Sequence, residues 1–355
     1  MGMNPDFWKG KRVLVTGHTG FKGSWLSLWL SSMKAEVYGF ALEPTSDAVL
    51  FTRGCLDELF VQSTIADIRD SEDVERAIDT AAPDIVFHLA AQALVRESYR
   101  NPLETYQVNA LGTANLLNAL RAREGITAVV NVTTDKCYYN MEWIWPYRES
   151  DRLGGKDPYS SSKACSELIT EAYRHSFFMN SQTFIASARA GNVIGGGDYS
   201  CERLIPDLLK ASDSCSPLLV RNPSAIRPWQ HVLEPLSGYL ILAEKLYMEG
   251  REYEGAWNFG PDIGTSRSVG WIIDCLKDRL GITISKCSDS MEMPEANRLT
   301  LDSSKAQRLL GWKPLWSLET ALDLTVDWHM ENKSGRPMRE FTLRQISDYE
   351  QLQPR

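Results

Sequence analysis

A tyrosine and a lysine one helical turn apart are the residues of this chain best suited to proton chemistry. Tyr159 and Lys163 follow Asp157 and Pro158, which mark the start of a predicted helix. Residues four positions apart share a helix face, so the ammonium group lies beside the phenol. A neighbouring cation favours the phenolate, so a tyrosine with an ordinary pKa near ~10 can act as a base towards a sugar or alcohol hydroxyl. The same spacing also fits an ordinary helix with a buried tyrosine and a solvated lysine.

A second polar group follows an apolar run. Residues 128–133 are typical of a strand buried in a parallel sheet, and Thr134, Asp135 and Lys136 come directly after them. Ligands bind at the carboxyl ends of the strands in such sheets. We therefore expect this group to lie on the same rim of the sheet as Tyr159.

A glycine turn near the N-terminus is the predicted cofactor element. The apolar run 11–16 leads into glycines at positions 17, 20 and 23, and an apolar helical pattern continues to residue 33. Strand, turn and helix in this order are typical of a dinucleotide site, where free N–H groups of the helix face a pyrophosphate. A glycine triplet by itself also fits a plain tight turn.

The elements that position these groups alternate between strands and helices. Further strands are predicted at 36–42, 64–70, 83–91 and 181–190, and a long helix at 104–123. This alternation predicts an α/β fold, a Rossmann-type doubly wound parallel sheet with helices on both faces. We expect residues 1–190 to form the dinucleotide-binding domain. Residues 191–355 mainly form a smaller mixed α/β substrate lobe, with the chain returning to the first domain near 227–258 and 315–335.

Four other residues have predicted positions in this fold. Asp67 and Ile68 follow the third strand and border the adenine of the dinucleotide. Glu43 either holds the adenosine ribose or is a solvated loop carboxylate. His88 lies inside an apolar strand and is predicted to be a core residue.

Composition excludes several classes of function. The 355 residues are 43% hydrophobic and 24% charged with a net charge of -8, so a nucleic-acid partner is not expected. Seven scattered cysteines without a C-x-x-C pair suggest neither a disulfide framework nor a metal site, and they favour a reducing cytoplasm. No signal peptide and no run of roughly 18 apolar residues is present, so we expect no membrane association.

Taken together, the motifs resemble the extended short-chain dehydrogenase/reductase family over nearly the whole chain. Within that family they are most similar to the NAD-dependent nucleotide-sugar 4,6-dehydratases, because an ionisable residue follows Thr134-Asp135. Segments 227–236 and 295–299 are similar to those of members that act on CDP-glucose. The matching motifs are Gly17-x-x-Gly20-x-x-Gly23, Leu89-Ala90-Ala91, Asn109, Thr134-Asp135, Tyr159-x-x-x-Lys163 and Arg189-x-Gly191-Asn192.

The resemblance implies an enzyme with a bound, recycled NAD. It implies conversion of CDP-D-glucose to CDP-4-dehydro-6-deoxy-D-glucose and water, an early step towards the deoxy sugars of bacterial surface polysaccharide such as O-antigen. It also implies a homodimer or homotetramer. Alternatives on the same fold are a dTDP- or GDP-hexose 4,6-dehydratase and a nucleotide-sugar 4-epimerase. An NAD(H)-sensing regulator without turnover is an alternative of another class.

The resemblance also implies which residues form the site, and it implies no metal ion there. The catalytic residues are Thr134, Asp135, Lys136, Tyr159 and Lys163. The cofactor-binding residues are Gly17, His18, Gly20, Phe21, Lys22, Gly23, Asp67, Ile68, Leu89, Ala90, Ala91, Asn109, Tyr159, Lys163 and Arg189. The substrate-binding residues are Asn192, Arg203, Arg227, His231 and Arg298.

Three residues depart from the pattern of the resembling dehydratases. Lys136 replaces a carboxylate that removes the C5 proton. It acts as that base with a lowered pKa, leaves the step to another group, or only orients Asp135 through an ion pair. His18 and Lys22 replace small or apolar residues of the glycine turn. We expect them to weaken the retention of NAD.

Overall fold

A seven-stranded parallel sheet forms the centre of the protein, which a computed structural model describes for residues 3–220, 222–286 and 298–353. Its strands are β1 Arg12–Thr16, β2 Glu36–Ala41, β3 Gln62–Ile65, β4 Ile85–His88, β5 Ala128–Val132, β6 Phe184–Ala190 and β11 Gly255–Phe259. Their order is β11-β6-β5-β4-β1-β2-β3, and every neighbouring pair is parallel. The predicted doubly wound sheet is confirmed.

Thirteen α-helices are present in the described ranges. They are α1 Pro5–Trp8, α2 Phe21–Ser32, α3 Val49–Arg53, α4 Ser71–Ala81, α5 Val95–Arg100, α6 Pro102–Tyr106, α7 Gly112–Arg121, α8 Pro158–Phe177, α9 Leu204–Ser214, α10 Leu233–Glu249, α11 Val269–Leu280, α12 Leu318–Lys333 and α13 Met338–Leu352. Of these, α2, α4, α7, α8 and α10 are among those that pack on the main sheet. The long helix predicted at 104–123 is α6 and α7 joined by a π-helical turn at Gln107–Leu111. In the described ranges, no helix has both the length and the apolar character needed to cross a bilayer.

Alternating residues of each strand fill two separate core layers. Val13 and Val15 of β1 belong to the layer that contains α2 and α10, whereas Leu14 belongs to the layer of α4 and α7. Successive strand residues point to opposite faces, so both faces of the sheet are covered by helices. This explains why all five residues of β5 are buried.

Three short strand pairs and three helices, α9, α11 and α12, form the smaller lobe of the described chain. β7 Asn192–Ile194 pairs with β10 Trp229–His231, β8 Leu218–Val220 with β13 Ile284–Lys286, and β9 Ile226–Arg227 with β12 Arg267–Ser268. Residues of α9, α11 and α12 form a third hydrophobic cluster next to these pairs. Between the pairs the chain returns to the main sheet, where β11 pairs with β6. The exact division into two domains stays a prediction.

The strand ends form the rim on which the polar residues lie. β4 ends at His88, β5 at Val132 and β6 at Ala190, in neighbouring positions of the sheet. His88 itself is buried, with Nδ1 2.8 Å from Thr16 Oγ1 and Nε2 3.2 Å from Thr113 Oγ1. The prediction of a core histidine is therefore confirmed.

Candidate active site

One continuous cavity of about 1020 Å³ lies at the carboxyl rim of the sheet. Its walls include the glycine turn at 17–23, Thr134, Tyr159 and, from the smaller lobe, Arg227. Small-molecule sites usually measure roughly 300–1,000 Å³, so this cavity is large enough for more than one ligand. The glycine turn and the Tyr159 phenol thus share a single chamber.

The glycine turn is built for close approach of the backbone. Gly17 has a φ of +74°, and a Cβ there would lie 2.7 Å from Ala90 N. A Cβ on Gly23 would lie 2.1 Å from Gly17 O. Gly20 caps α2 without a side-chain hydrogen bond, which leaves N–H groups of the first helical turn available to an anion. These features fit the pyrophosphate of a dinucleotide.

Tyr159 and Lys163 are buried together at the start of α8. Asp157 caps this helix by accepting a hydrogen bond of 2.9 Å from Ser160 N, and Lys163 Nζ donates one of 3.4 Å to Val132 O. Burial lowers the pKa of Lys163 to about 8. Burial also raises the pKa of Tyr159 to about 12, opposed by the charge of Arg203 and by a hydrogen bond with Thr134. The direction differs from the predicted lowering because desolvation of the phenol outweighs the nearby charges.

The Thr134–Lys136 segment forms a short turn beside this pair. Thr134 Oγ1 accepts a hydrogen bond of 3.3 Å from Lys136 N and donates one of 3.0 Å to Asp135 Oδ1. Asp135 is fully buried, and its Oδ2 has no hydrogen-bond partner in the described part of the chain. Lys136 Nζ lies 4.0 Å from Asp135 Oδ1, and 28% of the Lys136 side-chain surface is exposed. Lys136 lines the cavity, whereas Asp135, although predicted to be catalytic, is not among the lining residues.

Most predicted cofactor and substrate residues line the cavity. Arg203 Nη1 forms an ion pair of 3.1 Å with Asp198 Oδ2, and Arg227 is largely buried. Burial lowers the pKa of Lys22 to about 7, and the charges of Arg203 and Lys163 add to that effect. The predicted residues on the wall, besides Thr134, Lys136, Tyr159 and Lys163, are Gly17, Gly20, Phe21, Lys22, Gly23, Asp67, Ile68, Leu89, Ala90, Ala91, Asn192, Arg203 and Arg227.

The His18 side chain does not line the cavity. Its ring packs edge-on against Phe51 and Phe60, and its Nε2 lies 2.7 Å from Ser63 Oγ. Burial lowers the pKa of His18 to about 4, so the ring is neutral at neutral pH. Side-chain contact between His18 and the pyrophosphate, as predicted, is therefore wrong: the ring fills the space that Gly39 leaves open.

Asn109 and Arg189 are also absent from the cavity wall. Asn109 Nδ2 donates hydrogen bonds to Gln92 O at 3.0 Å and Ser162 Oγ at 2.8 Å, so this side chain joins α8 to the loop after β4. The Arg189 guanidinium is buried against Glu167. For both residues the structure contradicts direct cofactor contact, because other protein groups occupy their polar atoms.

His231 and Arg298 are likewise not on the wall. His231 is buried between Trp25 and Trp316, and burial lowers its pKa to about 3, so the ring carries no charge for an ion pair with an anion. The Arg298 backbone pairs with Asn140 and Glu142. Direct substrate contact by His231 is contradicted, and none is described for Arg298. Residues 295–297 lie outside the described residues.

Several wall residues were not predicted from the sequence. Asp198 follows the glycines at 195–197, and Tyr138 lies four positions after Thr134. Both positions follow predicted rim residues closely, so a fuller survey of that rim would have found them. Glu43, by contrast, is exposed and is not among the residues lining the cavity, which supports its reading as a loop carboxylate. Other unpredicted wall residues include Asn140, Glu142, Lys156, Glu202 and Trp229.

Comparison with known proteins shows that the chain is similar to nucleotide-sugar dehydratases and epimerases. The family model described as GDP-mannose 4,6 dehydratase matches residues 14–325. The CDP-glucose 4,6-dehydratase of Salmonella typhimurium is 49% identical over 354 residues, which cover 98% of each chain. The UDP-glucose 4-epimerase of Halalkalibacterium halodurans is 27% identical, over 91% of this chain and 97% of that protein. The structure of DesIV, a dTDP-glucose 4,6-dehydratase from Streptomyces venezuelae with NAD and TYD bound, superposes with a TM-score of 0.79 at 25% identity, covering 92% of this chain and 99% of that one.

Proposed function

The chain belongs to the GDP-mannose 4,6 dehydratase family, and we propose that it converts CDP-D-glucose to CDP-4-dehydro-6-deoxy-D-glucose and water. The observation that carries the proposal is the single cavity shared by the glycine turn and the Tyr159 phenol. The relative named CDP-glucose 4,6-dehydratase supports the choice of nucleotide and sugar through identity over almost the full length of both chains. A nucleotide sugar is the substrate class of all the relatives described above.

NAD is the cofactor that fits the glycine turn. The free N–H groups at the start of α2 suit its pyrophosphate, and Gly17 and Gly23 leave no room for larger residues. When bound, NAD supplies the redox chemistry of the cycle by taking up hydride from C4 and returning it to C6. The protein's own residues handle the protons and the geometry.

The proton steps use Tyr159 and Thr134 on the wall, together with Asp135, which is buried next to Thr134 and does not itself line the cavity. Tyr159 takes the proton of the sugar 4-hydroxyl, and the charge of Arg203 and a hydrogen bond with Thr134 favour its phenolate. Thr134 hydrogen-bonds the reacting oxygen and thereby holds it near Tyr159. The resulting 4-ketone acidifies the C5 hydrogen, so water can leave across C5 and C6. Asp135, whose Oδ2 has no protein partner in the described ranges, donates a proton to the departing 6-hydroxyl.

The C5 proton has two candidate acceptors. Lys136 lines the cavity, 4.0 Å from Asp135, and removes this proton in its neutral form. Alternatively, Lys136 remains a cation that orients Asp135, and another group acts as the base. A lysine must lose several pKa units to serve as a base at neutral pH, and the 28% exposure of this side chain limits its desolvation.

The substrate diphosphate is assigned to the smaller lobe. Arg227 and Asn192 line that end of the cavity, and an arginine is suited to a bidentate grip on phosphate. Arg203 is a second cation on the wall, oriented by Asp198. These residues bind the nucleotide sugar so that its hexose faces Thr134 and Tyr159.

We further propose a homodimer or homotetramer. Leu103, Leu111 and Leu168 are exposed large apolar residues on α6, the adjoining π-helical turn and α8, which pack against each other. An exposed apolar surface of this kind supports association of two copies.

The six cysteines in the described residues are free thiols, which supports a reducing, cytoplasmic location. A role in the supply of deoxy sugars to surface polysaccharide follows from the proposed product.

A product assay tests the proposal. The purified protein is incubated with NAD and, separately, with CDP-, dTDP-, UDP- and GDP-hexoses, and the alkaline absorbance of a 4-keto sugar is followed. We expect product with CDP-glucose. An epimerase would instead leave C6 as a hydroxymethyl group, and a regulator would bind NAD(H) without turnover. NAD retained by the purified protein is measured in the same samples, since Lys22 predicts weak retention.

A further inference from the structure

A buried ion pair lies behind the catalytic groups. Arg189 Nε and Nη2 donate to Glu167 Oε1 and Oε2 at 2.9 and 2.8 Å, and both side chains are about 3% exposed. Neither residue lines the cavity. Burial of two charges carries a desolvation penalty that is offset only when geometry is good and the remaining polar atoms are paired. The other contacts of the pair therefore indicate what it holds in place.

The carboxylate of Glu167 reaches the end of β5. Its Oε1 accepts a hydrogen bond from Thr133 Oγ1, the hydroxyl directly before Thr134 in the chain. Its Oε2 accepts one of 2.6 Å from Ser187 Oγ on β6. Glu167 thus ties α8, which carries Tyr159, to the strand that leads into Thr134.

The guanidinium of Arg189 reaches the other end of the same segment. Its Nη1 donates to the Tyr138 hydroxyl at 2.8 Å and to Glu149 O at 3.1 Å. The Tyr138 hydroxyl in turn donates to Asn258 Oδ1 at 2.7 Å. The segment 133–138, which contains Thr134, Asp135 and Lys136, is therefore fixed at both ends by one buried pair.

Glu167 also acts electrostatically on the catalytic lysine. Tyr159, Lys163 and Glu167 are spaced four residues apart on α8, so they lie on one face of the helix, and all three are buried. Burial lowers the pKa of Lys163 to about 8, and the charge of Glu167 opposes that lowering. Without the carboxylate, the amine would lose its proton at a lower pH.

We propose that Glu167 and Arg189 form a positioning unit that holds the Thr134–Lys136 segment against the Tyr159–Lys163 face, in which the carboxylate of Glu167 also keeps Lys163 cationic. This inference rests on the proposed function, because the roles of Tyr159 and Lys163 come from it. Neither Glu167 nor Arg189 touches the substrate in this scheme. They act through the groups that do.

The main experiment compares Glu167→Gln with Glu167→Asp by the pH dependence of kcat on CDP-glucose. Glutamine keeps the shape of the side chain but removes the charge. The fall of kcat at alkaline pH, which we call the alkaline limb and assign to the loss of the Lys163 proton, should therefore move to a pH about one unit lower. Aspartate keeps the charge and should leave the limb in place while lowering kcat through its shorter reach. We expect KM to change less than about threefold in both variants, because neither residue lies on the wall.

A variant that changes no charged residue separates the positioning effect of Glu167 from its charge effect. Thr133→Val removes the hydroxyl that donates to Glu167 but leaves the ion pair intact. Its kcat should fall about tenfold with the alkaline limb unmoved. Should Glu167→Gln fail to fold because Arg189 is left unpaired, the double variant Glu167→Gln/Arg189→Gln removes both charges and should show the same shift of the limb. An unmoved limb in the folded variant overturns the proposal.

A second readout does not depend on dehydratase activity. The reaction of Lys163 with a small amine-selective reagent requires the neutral amine, and its extent at each pH is read from the mass of the peptide that contains it. The pH of half-maximal labelling should fall by about one unit in Glu167→Gln relative to the native protein. Absence of CDP-glucose turnover in the native protein would refute the proposed function alone, whereas identical labelling profiles would refute the positioning unit.

Discussion

Two lysines on the wall of the same cavity, the buried Lys163 and the partly buried Lys22, have neighbours of opposite charge. In the catalytic region, formed by α8 and residues 133–138, burial lowers the pKa of Lys163 to about 8, and the charge of Glu167 opposes this. In the glycine-turn region, residues 17–23, burial lowers the pKa of Lys22 to about 7, and the charges of Arg203 and Lys163 lower it further. The charges of Asp135 and Asp198 only partly offset this lowering.

This difference indicates that the catalytic region and the glycine-turn region are stabilised by different interactions. The catalytic region contains a chain of charged and polar groups that are paired with one another, from Thr133 through Glu167 and Arg189 to Tyr138. The glycine-turn region depends on close packing, as in the contact of the His18 ring with Gly39. We expect charge-removing substitutions to affect the first region through chemistry and volume changes to affect the second through stability.

The largest expected effect is that of Tyr159→Phe, which removes the proposed base from the catalytic region. The change should reduce kcat by about 10²–10⁴-fold, because the proposed proton acceptor is lost and Ser160, another α8 hydroxyl on the wall, is hydrogen-bonded to Asp157. Turnover of CDP-glucose under saturating NAD measures it. Tyr173→Phe, on the same helix but away from the cavity wall, is the matched control. A loss smaller than tenfold would remove Tyr159 from the proton transfer.

The next effect separates the two roles left open for Lys136. Lys136→Met should permit oxidation at C4 but slow elimination about 100-fold, so reduced cofactor accumulates and exchange of the C5 hydrogen with solvent stops. Lys136→Arg keeps the cation but cannot supply a neutral amine. If arginine behaves like methionine, the lysine is the base. If arginine restores elimination, the residue only orients Asp135, 4.0 Å away.

The sequence predicted the rim of the site well because rim residues follow from local rules. Glycine spacing predicts a turn with positive φ and a free helix N-terminus, and Gly17 has a φ of +74°. The i, i+4 spacing predicts a shared helix face, and Tyr159 and Lys163 are buried together. The parallel sheet predicts that strand ends meet at one edge. Each of these inferences needs only neighbouring residues and the fold class.

The sequence did not predict the direction or the partner of a side chain where the backbone allows more than one. His18 stands in the glycine turn but turns away to Phe51 and Phe60, and nothing within the motif specifies that direction. Arg189 lies at the end of a rim strand, yet its partner Glu167 is 22 positions earlier. The Tyr159–Lys163–Glu167 spacing was a visible signal for this pair. Its meaning depends on tertiary packing that local patterns do not contain.

Gly39→Ala tests the packing of the glycine-turn region. The added Cβ would lie 2.6 Å from His18 Cγ, so the substitution should lower the free energy of unfolding by about 1–3 kcal/mol. In the double variant Gly39→Ala/His18→Ala this clash is absent, and its loss of stability should be smaller than the sum of the two single changes. Denaturant unfolding measures all three variants. Additive losses would mean that the His18 ring does not depend on the glycine.

Lys22→Met is expected to have the smallest effect, and its sign depends on pH. The folded chain holds the pKa of Lys22 at about 7 against an ordinary 10.5, so the unfolded chain binds the extra proton between these values. The stability of the native protein therefore rises with pH across this window, whereas methionine removes that dependence. The variant should be more stable by roughly 1–2 kcal/mol at and below pH 7, since the side chain is only partly buried, and the gap should close towards pH 10. Lys9→Met, at an exposed position, should show no such gap. An equal gap at all pH values would mean that packing, and not the buried charge, distinguishes the two side chains.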